Sequence, residues 1–203
     1  MPSIIIKVLA VDDEPDLCVL TKQFLERSKG IEVDIAGSAE EAVNALTKKH
    51  YDAIVSDYQM PGEDGIALLK RLRVMNNGIP FILFTGRGRE EVVIEALNNG
   101  ADSYLQKGGN PVPQYTELEH RIRGLVQRYR TEKAKRDDEE RFKQLADGAD
   151  EWIWEVDANG LLTYSNQVVE RILGYDPEDL IGKVHFFDLM PPGSLQHIKK
   201  GSL

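Results

Sequence analysis

The sequence predicts an α/β fold, a five-stranded parallel sheet doubly wound by helices, followed by a long helix and a smaller α+β segment. Three observations carry this. Between residue 4 and about residue 125, short apolar runs alternate five times with amphipathic segments. The first run, Ile4-Ile5-Ile6 with Val8 to Val11, is nearly continuous, as expected of a strand covered on both faces. After residue 139 the texture changes to a Trp-rich alternation broken by a turn.

Each element follows in order. Leu17, Leu20, Phe24 and Leu25 recur at helical spacing behind the first strand. Ile31, Val33 and Ile35 alternate as the second strand. Ser38 and Glu41 have capping-box spacing, which opens a helix whose apolar face is Ala42, Ala45 and Leu46. Residues 52–57 form the third strand, Ile66, Leu69 and Leu72 the next helix, and Phe81 to Phe84 the fourth strand. Val93, Ala96 and Leu97 mark a helix closed by Asn98-Asn99-Gly100. Ser103-Tyr104-Leu105 is the fifth strand. Leu118, Ile122, Leu125 and Tyr129 begin the last helix, and residues 117–146 read as one long charged helix. The alternation dictates parallel pairing but not its order.

Composition excludes several classes. The 203-residue chain has a net charge of −9, against the clustered positive charge that nucleic-acid affinity requires. The basic residues of 121–136 are interrupted by Glu132 and followed by Asp137 to Glu140, which reads as a solvated face and not a nucleic-acid patch. No apolar run approaches the roughly 20 residues of a membrane span. The start, MPSIIIKVLAVDDEP, reads as a strand and not as a signal peptide. A single cysteine, Cys18, excludes an internal disulfide, and a cytoplasmic location is expected.

In a parallel sheet, ligands lie beyond the carboxyl ends of the strands. There the sequence places Asp12-Asp13 after strand one, Asp57 after strand three, Thr85 after strand four and Lys107 after strand five. Each alone is an ordinary turn or cap residue. Together they form a specific pattern over four elements. Crowded carboxylates must hold protons or recruit a cation, and oxygen donors without His or Cys suit Mg²⁺. A hydroxyl and an ammonium nearby would neutralise a phosphoryl group carried by one carboxylate, with Asp57 as the nucleophile.

These residues lie in VDDEP (11–15), DYQMPGEDG (57–65), LFTGRG (83–88) and DSYLQKGG (102–109), and through them residues 4 to about 128 resemble a response-regulator receiver domain of two-component signalling. The resemblance implies a flavodoxin-like sheet of order 2-1-3-4-5. It implies that Asp57 accepts a phosphoryl group from a sensor histidine kinase or phosphotransfer protein. It further implies that Asp13, Asp57 and the Gln59 backbone carbonyl bind Mg²⁺ (or Mn²⁺), with Asp12 acting through water. Lys107 would pair with the phosphoryl group, Thr85 would turn towards it, and Tyr104 would be the switching aromatic that packs inward. The family commonly has proline after the lysine; here Gly108 tolerates unusual angles without enforcing them.

The segment RFKQLADGADEWIWEVDANGLLTYSNQVVERILGYDPEDLIGK resembles the N-terminal part of a PAS domain. Trp152, Trp154 and Val156 alternate as a strand, Asp157 to Gly160 turns, and Leu161 to Tyr164 returns. Asp176-Pro177 is an N-cap with proline in the first turn. The expected layout is a receiver at 1–128, a charged helical linker at 129–146 and an incomplete PAS-like segment at 147–203. No cofactor is assigned to that segment; Cys18 lies outside it, which excludes flavin–cysteine chemistry. His120 reads as a solvated helix residue, and His50, His185 and His197 as isolated.

The functional expectation is a phosphoacceptor switch and not an enzyme, with a homodimer through the face after strand four or through the linker helix. One alternative is a Mg²⁺-binding docking module. The other is an aspartyl-nucleophile phosphatase, which needs a second Asp two residues after the nucleophile, where Gln59 stands. No helix-turn-helix follows the receiver-like part.

Overall fold

The computed structural model describes residues 5–75, 77–86, 90–149 and 151–190. Ile4, Arg87, Gly88, His197 and the end of the PAS-like segment from residue 191 lie outside the described residues. The chain divides into two compact units, residues 1–132 and 133–203.

The first unit alternates β1 (Ile6–Val11), α1 (Pro15–Glu26), β2 (Ile31–Ala36), α2 (Ala39–Lys48), β3 (Ala53–Ser56), α3 (Gly65–Val74), β4 (Phe81–Thr85), α4 (Glu90–Asn98), β5 (Ser103–Gln106) and α5 (Pro111–Gly148), the last continuing into the second unit. Its five strands are parallel, in the order β2-β1-β3-β4-β5. The continuous apolar runs are explained by burial on both sides. Leu9, Val11, Ile54, Phe81 and Leu83 face one core with α2, α3 and α4. Ile6, Val8, Ala10, Val55, Ile82 and Phe84 face the other with α1 and α5. Each large side chain so buried contributes about 1.5–3 kcal/mol.

Local chemistry sets the element ends. Ser38 Oγ accepts from Glu41 N–H (3.2 Å), while the Glu41 carboxylate reaches back past the cap to Gly37 N–H (2.7 Å). Along the second strand Ile31 and Val33 are buried but Ile35, on the same face, is exposed; on the other face Ala36 is buried and Asp34 bonds Lys49 and Tyr51 at the surface. At the open edge of β2, α1 covers the backbone of Val33. Glu26 Oε1 accepts its N–H (2.9 Å) and Lys22 Nζ donates to its carbonyl (2.8 Å).

The last helix begins at Pro111, earlier than the residue 117 expected. Asn110 Oδ1 caps it by accepting from Val112 N–H (3.1 Å), and prolines in a first turn lose no helical hydrogen bond. Its buried stripe is Tyr115, Leu118, Ile122 and Val126, so Val126 and not Leu125 faces fully inward. Arg130 then grips Asp52, just before β3, through Nη2 (2.7 Å) and Nε (3.2 Å), while the other Asp52 oxygen takes Lys7 N–H (2.9 Å).

In the second unit, β6 (Trp154–Val156) and β7 (Leu162–Ser165) pair antiparallel, followed by α6 (Val168–Leu173), α7 (Pro177–Leu180) and a 3-10 turn at Phe186–Leu189. The strands are shorter than expected, since Trp152 lies before β6 and Leu161 instead bridges to His185. Asp157 Oδ1 organises the turn by accepting from Asn159 and Leu161 N–H (2.8 and 2.9 Å). Leu162, Val169 and Leu180 form a small core flanked by Trp152, and Trp154 stacks on Phe186 at 3.8 Å. Buried Asn166 donates to Ala146 and Glu151 carbonyls (2.6 and 3.0 Å) and accepts from Ile153 N–H (3.0 Å). Asp176 caps α7 by accepting from Glu178 N–H.

Candidate functional site

Four parallel strands deliver their last residues to one rim of the sheet, and the site is built there. Asp12 follows β1, Asp57 follows β3, Thr85 ends β4 and Lys107 follows β5. Asp57 is set by its backbone, whose N–H donates to Val11 O at 2.8 Å. Lys107 is set by its own N–H, which donates to Thr85 O at 2.7 Å.

The side chains then meet. Lys107 Nζ lies 2.5 Å from Asp12 Oδ2 and 2.7 Å from Asp57 Oδ1. The second Asp57 oxygen accepts the Gln59 N–H at 2.5 Å, and Asp12 Oδ1 accepts from Glu14 N–H at 2.9 Å. Both carboxylates and the ammonium are nine-tenths buried or nearly so. Burial disfavours the Lys107 charge, yet the hydrogen bonds and charges of Asp12 and Asp57 outweigh it and hold its pKa above the ordinary value. The ammonium also stands 5.6 Å over the Phe84 ring, a contact that the sequence did not announce because Phe84 reads as plain core.

Not every expected residue joins the cluster. Asp13 is exposed, and among the described residues no three His, Cys, Asp or Glu side chains are grouped to hold a metal. The close pair is Asp12 and Asp57, bridged by Lys107. Thr85 is buried at the end of β4. Tyr104 is already partly buried against the α2–α3–α4 core, and its hydroxyl is enclosed with no hydrogen-bond partner among the described residues. Cys18 lies just behind the site, donating to Asp12 O at 3.3 Å. Burial and the Asp12 charge push its thiol up to about 11, so it stays protonated and unreactive at neutral pH.

The turn after Asp57 explains the glycines of DYQMPGEDG. Gly62 sits at φ +83. Gly65 is needed for a different reason. A Cβ there would lie 2.1 Å from the Asp57 carbonyl oxygen, so α3 starts against the backbone of the site. Asp64 caps α3 by accepting from Ala67 N–H at 2.7 Å. After Lys107, Gly108 and Gly109 adopt φ +145 and +82, angles that a proline at 108 could not take.

The chain matches known proteins in sequence and fold. The family model described as the response regulator receiver domain matches residues 8–118, and that of the PAS fold matches residues 140–200. The chain is 31% identical over 130 residues to the transcriptional regulatory protein RprY of Bacteroides fragilis, covering 64% of this chain and 53% of that protein. It is 31% identical over 182 residues to the transcriptional regulatory protein AruR of Pseudomonas aeruginosa, covering 87% of this chain and 70% of that protein. The chain thus spans about half the length of the Bacteroides relative. Among solved structures, the receiver domain of the Francisella response regulator 1452 superposes with a TM-score of 0.55 at 36% identity, covering 61% of this chain and 98% of that one. Among the described residues no helix is long and apolar enough to cross a membrane. With the sheet order, the strand-end cluster and these matches together, the chain belongs to the response-regulator receiver family, and a PAS fold follows its receiver.

Proposed function

We propose that this chain is a phosphoacceptor switch. Asp57 takes a phosphoryl group from a sensor histidine kinase or phosphotransfer protein, and the change is passed through residues 129–146 to the PAS-like segment at 147–203. The observation that carries this reading is the Lys107 ammonium held between Asp12 and Asp57.

In the transfer, an Asp57 carboxylate oxygen attacks phosphorus, the P–O bond forms and the donor's P–N bond breaks. The donor histidine keeps the electron pair and takes up a proton. Lys107 meets the developing charge on the phosphoryl oxygens from where its hydrogen bonds to Asp12 and Asp57 already place it. Gln59 N–H, already donating to Asp57, holds the carboxylate in line. Asp12 and Asp57 offer the rim carboxylate oxygens of the kind a hard cation takes, beside the Lys107 ammonium. Asp57, Asp12 and the Gln59 carbonyl would hold Mg²⁺ or Mn²⁺ with Asp13 only once Asp13, exposed here, turned in to join them, and the ion would supply charge neutralisation at the phosphoryl group. Thr85 and Tyr104 would couple phosphorylation to the loop after β4, biasing a two-state equilibrium.

The relatives are named as transcriptional regulators. For this chain the acidic balance favours an output through protein contacts and not through DNA held by these residues. Self-association would use the α4 side, where Ile94 and Leu97 are exposed, or the linker helix. The test is incubation with acetyl phosphate and Mg²⁺, read as the mass gain of one phosphoryl group that is lost in acid and in base. Asp57→Asn is expected to abolish the gain while keeping the circular dichroism spectrum. Uptake that survives in Asp57→Asn sinks the reading. Binding of Mg²⁺ without uptake supports a docking module, and steady phosphate release from phosphomonoesters supports a phosphatase.

A further inference from the structure

The loop that presents Lys107 is followed by two glycines, yet the ammonium is held at hydrogen-bond distance from two carboxylates. Packing does not supply the restraint. A Cβ added to Gly108 or Gly109 would meet nothing within 4 Å. Glycine has the most backbone freedom to lose, so this segment must be tied by other means.

The tie is the side chain of Gln114, in the first turns of α5. Its Nε2 donates to Gln106 O at 2.6 Å and to Gly108 O at 3.4 Å, the two carbonyls on either side of Lys107. Gln114 itself stands on a fixed platform. Asn110 caps the helix just before it, and Tyr115 just after it is buried, stacked on Phe24 at 4.6 Å and hydrogen-bonded to Thr21 Oγ1 at 3.1 Å. The Lys107 peptide is therefore held from β4 through Thr85 O and from α5 through Gln114.

We propose that Gln114 is a positioning residue for Lys107: by bridging the flanking carbonyls it fixes the backbone from which the ammonium reaches Asp57. This rests on the reading of Asp57 as phosphoacceptor and of Lys107 as the partner of its phosphoryl group. Gln114 does not touch the reacting atoms and acts only through the lysine.

The test uses the full chain with acetyl phosphate and Mg²⁺, comparing wild type, Gln114→Ala, Gln114→Glu, Lys107→Ala and the double variant Lys107→Ala/Gln114→Ala. Gln114→Ala is expected to slow phosphoryl uptake about fivefold, the weight of one net hydrogen bond. Gln114→Glu keeps the shape, loses the donor and turns a negative charge towards two carbonyls, so it is expected to be at least as slow. In the Lys107→Ala background, Gln114→Ala is expected to add no further loss, which a merely structural role would not produce. Wild-type rates in both Gln114 variants overturn the proposal and leave the Asp57 reading standing. So does a double-variant loss equal to the product of the single losses. A wild-type chain that accepts no phosphoryl group overturns the Asp57 reading and this proposal together.

Discussion

Gly65→Ala puts a single methyl group where the site has no room for it. The new Cβ would lie 2.1 Å from Asp57 O, 3.1 Å from the Asp57 carbonyl carbon and 3.0 Å from Leu83 Cδ1. An ordinary carbon–oxygen contact is about 3.3 Å or more, so the first turn of α3 and the Asp57 carbonyl must part by about 1.2 Å. Neither yields freely. Gly65 N–H donates to Tyr58 O at 2.9 Å, and Asp57 O accepts from Ser56 Oγ at 2.8 Å. Overpacking of this kind costs about 1–3 kcal/mol, offset by about 0.5–1 kcal/mol because alanine loses less backbone entropy than glycine. The net loss centres on about 1 kcal/mol and reaches about 2.5 kcal/mol, or a melting point lower by about 3–8 °C for a unit of this size. Far-UV circular dichroism follows the sheet, whereas Trp152 and Trp154, both in the second unit, report on that unit alone. Phosphoryl uptake is expected to fall by more than the stability, since a misplacement of about 1 Å costs up to about a hundredfold in rate. Gly62→Ala is the control: it has open space and bears only the strain of φ +83. Equal slowing in Gly62→Ala and Gly65→Ala, or an unchanged dichroism melt in Gly65→Ala, refutes the close-approach argument.

Arg130→Ala is expected to destabilise the first unit by about 1–2 kcal/mol, less than a fully buried pair because the guanidinium is a third exposed, and to speed amide exchange around residues 126–131. Tyr164→Phe removes a hydroxyl that is enclosed without a hydrogen-bond partner among the described residues, so the melting point of the second unit should hold or rise. Asp34 has a pKa below the usual carboxylate value, because the Lys49 and Tyr51 hydrogen bonds favour its charge over the small opposing effect of burial. A depressed carboxylate stabilises the fold above its unfolded pKa, and that contribution vanishes as pH falls through the folded one. Asp34→Asn should therefore melt below wild type at neutral pH, with the gap closing in acid; a gap constant over the acid range contradicts the linkage.

How much of this was legible in the sequence depended on whether a feature was local. The five strands were legible because both faces are buried, which writes continuous apolar runs such as Val8 to Val11. Their order was not legible from pattern, since pairing is chosen by tertiary packing; the resemblance supplied it. Asp12, Asp57, Thr85 and Lys107 could be grouped because parallel strands bring their carboxyl ends to one rim. Gln114 could not, because its contact depends on α5 starting at Pro111, and two prolines conceal a helix start from periodicity. Leu125 and Val126 are both apolar and adjacent, so periodicity does not choose between them and only the packing of α5 on the sheet does. Alternation puts Ile35 on the face of Ile31 and Val33, yet it is exposed near the end of β2, because alternation sets the face and not what covers it.

The ion-paired Lys22 and Glu26 over Val33 have a consequence for how these molecules behave in a crowd. A peptide seeking to extend the sheet past β2 needs the outward amide and carbonyl of Val33, and a helix of the same chain already occupies both. Growth by strand addition is thereby blocked in the middle of that margin, so molecules can meet there repeatedly without polymerising.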